Sequence, residues 1–127
     1  DLLEDAKRRH PDVDIRLQSK AHLESLEGEL ATATYRIMQE SLTNALRHAK
    51  ATVIDMQVAL VDGQVHLEVR DNGIGPADNW HASGHFGVIG MRERAQGLGG
   101  SLQFEALTPS GVRVHAILPV KHNTNHA

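Results

Sequence analysis

Four side chains on one short stretch carry the densest polar chemistry of the chain: Glu40, Asn44, Arg47 and His48. If residues 35–49 form a helix, these offsets of four, seven and eight put an acid, an amide, a guanidinium and an imidazole on one stripe. The opposite stripe, Ile37, Met38, Ser41, Leu42, Ala45 and Ala49, is small and apolar and reads as the core face. A carboxylate one turn before a carboxamide suits a hard cation and a polarised hydroxyl or water. A guanidinium and an imidazole on the next turn suit the anionic oxygens of a metal-bound phosphate. The same spacing also fits a solvated helix face braced by i,i+4 pairs.

Two further sites follow in the sequence. Asp71 continues the phase of Val65, Leu67 and Val69 and is predicted to point to the core side of a strand, where a carboxylate is costly without a donor. Gly73 and Gly75 flank Ile74 directly after it. The run Gly84-His85-Phe86-Gly87-Val88-Ile89-Gly90 then opens onto a predicted helix that includes Met91, so free backbone N–H groups there could receive phosphate oxygens. Singly these signals are weak, because Asp-Asn-Gly is also a turn and glycines are ordinary loop material. A P-loop is absent, and the glycines of residues 84–90 do not follow a strand as a dinucleotide-binding unit requires.

The elements that must position these residues are read from periodicity. Residues 1–9 are predicted to be a helix that looks truncated at its start, and Val13, Ile15 and Leu17 mark a short strand. The polar helix should span residues 29–48. Ile54, Met56, Val58 and Leu60 should face the core from a strand that turns at Asp62-Gly63 into the strand ending at Asp71. Residues 77–85 read as a loop. A helix over residues 88–98 should bury Val88, Met91, Ala95 and Leu98 and be capped by Gly99-Gly100, with two more strands on Leu102, Phe104 and Ala106 and on Val112, Val114, Ala116 and Leu118.

Composition narrows the choices. With 127 residues, 40% of them hydrophobic, the chain is about one domain with a real core. Aromatic residues are only 3%, leaving few platforms for base stacking, and a net charge of -3 without a basic run argues against nucleic acid. No cysteine is present, which excludes disulfides and thiolate metal sites and fits a reducing compartment. No apolar run approaches the roughly 20 residues that span a bilayer, and no signal peptide opens the chain, so no membrane contact is expected of it. His22, His66, His81, His115, His122 and His126 read as surface or loop residues that no zinc spacing groups.

The ordered combination resembles the catalytic, ATP-binding domain of bacterial sensor histidine kinases of the GHKL (Bergerat-fold) superfamily. The run Gly84-His85-Phe86-Gly87-Val88-Ile89-Gly90-Met91-Arg92-Glu93-Arg94-Ala95 is similar to the nitrate-sensor-like subfamily. The resemblance implies a two-layer α/β sandwich, with a mixed sheet covered on one face by helices. Residues 29–120 would be the ATP-binding domain, 1–28 the end of a linker helix and an entry strand, and 121–127 a tail. It implies that Asn44 ligates Mg²⁺ against the ATP phosphates and that Glu40 orients or deprotonates the attacking group. Arg47 and His48 would lie near the phosphates, and Asp71 would accept from the adenine amino group. Gly73, Ile74 and Gly75 would pass close to the base. Gly84, His85, Phe86, Gly87 and the amides of Val88, Gly90 and Met91 would line the phosphate side, with residues 77–86 as a lid.

The implied activity is transfer of the γ-phosphoryl group to a histidine on a separate dimerisation and phosphoacceptor domain, and from there to a response regulator, in the cytoplasmic part of a membrane-anchored sensor. Two departures stand out. Gly111-Val112 replaces the Gly-Thr often found in the family, and no acceptor helix is recognisable, since Pro11 follows His10. A stand-alone serine kinase of the anti-sigma-factor type and a non-catalytic nucleotide-sensing module are the alternatives.

Overall fold

In the computed structural model, which describes residues 2–20, 25–48, 50–74 and 87–120, helix α1 (Leu2–Arg9) leads into strand β1 (Asp14–Lys20). Helix α2 (Gly28–Thr43) follows and passes without a break into a π-helical turn, Asn44–His48. Strands β2 (Val53–Val61) and β3 (Gln64–Asp71), helix α3 (Val88–Gly97) and strands β4 (Ser101–Ala106) and β5 (Val112–Pro119) complete the chain.

The strands form one mixed sheet in the order β1-β2-β3-β5-β4. Only β1 and β2 run parallel. Period-two alternation gives the sheet one apolar face, on which Ile54, Met56, Val58, Val65, Leu67, Val69, Val114 and Leu118 are buried. That face and the apolar stripe of α2, with Ile37, Met38, Leu42 and Ala45, belong to one core, to which α3 adds Val88, Met91 and Ala95. The result is the expected two-layer α/β sandwich. Residues read as linker and entry strand also build into it: Ala6 of α1 and Ile15 of β1 are core residues.

Local chemistry explains the joints. Asp62 and Gly63 both take positive φ, 51° and 75°, as a two-residue hairpin turn between right-twisted strands requires. Helix α3 ends in a Schellman cap: Gly99, at φ 82°, donates to the Gln96 carbonyl at 2.9 Å, and Gly100 donates to that of Ala95 at 2.8 Å.

Two expectations are corrected. Leu60, expected in the core, is 51% exposed, because it lies beside the hairpin turn where the sheet runs out. The polar stripe of α2 is not uniformly solvated: Arg47 is exposed, but Asn44 is only 7% exposed. Asn44 stands three residues after buried Ser41 and beside buried Ala45, so it borders the core stripe rather than opposing it.

Candidate functional site

Glu40 is half-buried on α2, and its side chain lies against Gly87, the residue that opens α3. Gly87 has φ +63°, and a β-carbon there would fall 2.7 Å from Cδ and 2.9 Å from Cγ of Glu40. With Glu40 so placed, a β-carbon at position 87 would have to push the flexible carboxylate aside, and the positive φ itself favours glycine. The contact sets a carboxylate beside the positive end of the α3 dipole, where unpaired N–H groups favour negative charge. Deeper in the same helix pair, the Ser41 hydroxyl meets Met91 Sδ at 3.5 Å, joining α2 to α3 inside the core.

The π turn that follows α2 keeps Asn44 buried while the chain turns toward β2. Single-turn π segments are frequent at functional sites. Ala51, itself buried, donates to the carbonyl of Ala45 at 3.1 Å and so ties the start of the β2 segment to this turn.

Asp71 ends β3 with its side chain half-buried, as its phase predicts. The donor that its position demands comes from the chain itself. Oδ1 accepts from the Gly73 N–H at 2.8 Å, and the Val112 amide lies close enough to act on the carboxyl. Burial raises the Asp71 pKa above the ordinary carboxylate value, and these two amides act against that rise. Val112 sits opposite Asp71 in the β3–β5 register. The departure noted at this position removes a hydroxyl, while the backbone of Val112 stays opposite Asp71. Gly111 is needed for the approach, because at φ +104° a β-carbon would run into the carbonyl oxygen of Asp71.

Asn72 carries a role that composition alone does not reveal. Its Oδ1 accepts from the N–H groups of Thr52 and Val53, both at 2.9 Å, and its Nδ2 donates to the Thr52 hydroxyl at 2.9 Å. The Asp-Asn-Gly turn thereby grips the first residues of β2.

The structure brings Glu40, Gly87 and the start of α3 together, and sets Asp71 and Gly73 at the strand end. Gly73 is buried and Ile74 is 70% exposed. Val88 and Met91 have core side chains, 3% exposed each, so only their backbone could face a ligand, whereas Gly90 is exposed. Arg47 lines a cavity of about 390 Å³ between α1 and α2 together with Arg9, His10, Tyr35 and Gln39, and no described contact joins it to Glu40. Gly75, Gly84, His85, Phe86 and the lid lie outside the described residues, as does the side chain of His48.

The outer face of the sheet carries a polar network: His66 and His115 place Nδ1 and Nε2 at 3.4 Å, and Arg113 Nη2 lies 3.1 Å from His115 Nδ1. Arg113 is paired with Glu68 and, at 3.1 Å, with Glu105. A guanidinium only donates, so His115 Nδ1 must accept, leaving Nε2–H to donate to His66. Burial, then the Arg113 charge, holds the His115 pKa below its ordinary value.

A buried carboxamide on the turn that ends a carboxylate-bearing helix, a strand-end acid held by a backbone amide and a glycine on which that carboxylate rests are the described parts of the candidate site. The model of the histidine kinase-, DNA gyrase B- and HSP90-like ATPase family matches residues 29–122, and the chain belongs to that family.

Among relatives, the sensor histidine kinase YxjM of Bacillus subtilis is 35% identical over 97 residues, covering 76% of this chain and 23% of the relative. The nitrate/nitrite sensor protein NarX of Escherichia coli is 42% identical over 79 residues, covering 62% of this chain and 13% of the relative. The chain thus spans less than a quarter of either protein.

Two solved structures share the fold. The histidine kinase domain of the Erythrobacter litoralis blue-light activated histidine kinase EL346 superposes with a TM-score of 0.76 at 24% identity, over 94% of this chain and 59% of that one. The ATP binding domain of PrrB from Mycobacterium tuberculosis gives 0.73 at 22% identity, over 95% and 90%.

Proposed function

We propose that this chain is the catalytic, Mg·ATP-binding domain of a two-component sensor histidine kinase. In this reading it transfers the γ-phosphoryl group to a histidine on a separate dimerisation and phosphoacceptor domain, from which a response regulator receives it. The observation that carries the reading is the seating of Glu40 on Gly87, which puts the acid of α2 at the mouth of a glycine-opened helix. Kinship with sensor histidine kinases supports it.

The residues fit the groups they would hold. Among the described residues no set of three or more His, Asp or Glu side chains could hold a metal. One oxygen from the buried Asn44 suits Mg²⁺, which favours one or two protein oxygens and takes the rest from water and phosphate. Mg²⁺ bound there would neutralise charge on the phosphate oxygens. Asp71, fixed by Gly73, would accept from the adenine amino group and discriminate against a base that shows a carbonyl there. Glu40 would orient the acceptor imidazole and take its N–H proton as the new P–N bond forms and the bond from γ-phosphorus to the bridging oxygen of ADP breaks. Arg47 and His48 would complete the phosphate side. Catalysis by such a site is mostly positioning and charge neutralisation.

No described helix is long and apolar enough to cross a membrane. We assign the chain to the cytoplasmic part of a membrane-anchored sensor, following its likeness to the nitrate/nitrite sensors. The test is Glu40→Gln in a phosphotransfer assay with a supplied acceptor domain. The reading expects nucleotide binding to persist while transfer falls by about 10²–10⁴, the usual contribution of a positioned acid–base group. Undiminished transfer would remove Glu40 from the reaction.

A further inference from the structure

We infer that Asn72 is a positioning residue that locks the adenine end of the site to its metal end, an inference that rests on the nucleotide reading above. Three side-chain bonds of 2.9 Å run from Asn72 to Thr52 and Val53, and its own N–H donates to the Val53 carbonyl at 3.3 Å. Asn72 follows Asp71, whose register partner on β2 is Ile54, so the clamp lies just beyond the last pair of the β2–β3 ladder. It holds the two strands where the ladder stops and where the chain must leave toward Gly73.

The other side of the clamp leads to Asn44. The Thr52 carbonyl accepts from the Asp14 N–H at 2.8 Å, which fixes Thr52 to the edge strand. Ala51, the preceding residue, donates to Ala45 in the π turn at 3.1 Å, directly beside Asn44. A continuous path of hydrogen bonds and single peptide steps therefore runs from Asp71 through Asn72, Thr52, Ala51 and Ala45 to Asn44. None of the intermediate groups needs to touch the nucleotide. Their combined effect is to fix the distance between the group that would read adenine and the group that would hold the cation, two demands that a single Mg·ATP must satisfy at once.

The residue types match this duty. Thr52 accepts one bond at its hydroxyl and donates another at its amide, so an aspartate at position 72 could keep both amide bonds but would lose the donor to the hydroxyl. A leucine there would lose all three.

The experiment uses the 127-residue chain and the variants Asn72→Ala, Asn72→Asp and Thr52→Val. It reads amide hydrogen exchange at Thr52 and Val53 and titration with a non-hydrolysable ATP analogue with and without Mg²⁺. Asn72→Ala should speed exchange at both amides and weaken Mg·ATP binding by about tenfold, the order of one neutral hydrogen bond. Binding without Mg²⁺ should change much less, because only the metal-linked complex needs both ends in register. Asn72→Asp should restore amide protection and most of the affinity, and Thr52→Val should fall between.

Equal weakening with and without Mg²⁺ would make Asn72 merely structural and overturn the inference, as would unchanged exchange in every variant. If Asn72→Ala does not fold, Asn72→Asp and Thr52→Val still decide by the same comparison. If the unsubstituted chain binds no adenine nucleotide, the functional reading itself fails and the positioning role with it. Faster exchange in the variants would then show that the clamp exists for the fold alone.

Discussion

The side chain of Glu40 lies directly on Gly87, so a β-carbon at the residue that opens α3 could enter only by displacing that carboxylate. Gly87→Ala should therefore do two things. It should cost about 1–2 kcal/mol of stability, because an L-residue is held in the left-handed region at φ +63°. It should also displace the Glu40 carboxylate and depress phosphotransfer far more than stability. Denaturant unfolding and an acceptor-domain assay, run together, check this. A variant that loses stability but transfers normally would separate Glu40 from the chemistry.

Asp71→Asn should weaken ATP-analogue binding by about 1–3 kcal/mol, since an ionised acceptor for the adenine amino group is replaced by an amide. The Gly73 N–H can still be satisfied by the amide oxygen, so the fold should survive. Calorimetric titration beside GTP gives the answer. Unchanged affinity and selectivity would sink the assignment of Asp71 to adenine.

The raised pKa of Asp71 gives a pH dependence of definite sign. Between the ordinary carboxylate value of 3.8 and the raised one, the folded chain binds more protons than the unfolded chain, so this group lowers stability as pH rises through that interval. Asp71→Asn should flatten that part of the profile. Nucleotide affinity should move the opposite way, weakening as acid neutralises the acceptor. Chemical denaturation and titration across the acid range measure the two slopes separately.

His115 should act in the opposite sense. Its folded pKa lies below the ordinary 6.5, so in that interval the unfolded chain binds more protons, and stability is lost as pH falls below 6.5. Protonation also turns Nδ1 into a donor facing the Arg113 guanidinium. His115→Gln should remove this slope, as thermal melts at pH 7.5 and 5.5 would show. Because the network lies on the outer face of the sheet, nucleotide affinity at neutral pH should be unaffected.

Gly111→Ala should destabilise the chain by about 1–3 kcal/mol, the usual cost of forcing an added methyl into a closed space, because its β-carbon meets the backbone of Asp71 rather than a movable side chain. The same displacement should shift the Asp71 backbone and with it the carboxylate, and lower nucleotide affinity. Retained affinity in a destabilised variant would show that Gly111 contributes to the fold but not to the site.

Much of this was legible in the residues alone because it depends on local chemistry. The three-and-four spacing of Ile37, Met38, Ser41, Leu42 and Ala45 gave α2, and alternation gave the strands. Asp62-Gly63 specified its turn and Gly99-Gly100 its cap through backbone conformations that few other residues accept. The phase of Val65, Leu67 and Val69 placed Asp71 on the inner face before any partner was known.

What only the tertiary structure decided is which distant groups meet. The sequence offered Asp71 a need for a donor but not its neighbours, since Val112 lies on a strand far along the chain and reaches Asp71 through the β3–β5 register. Glu40 on Gly87, Asn72 on Thr52, and His66 beside His115 likewise depend on strand order and helix packing. The burial of Asn44 and the exposure of Leu60 depend on where the layers begin and end. Periodicity records which way a side chain points along its own element. It holds no information about the element opposite, and the site is built from those opposing pairs.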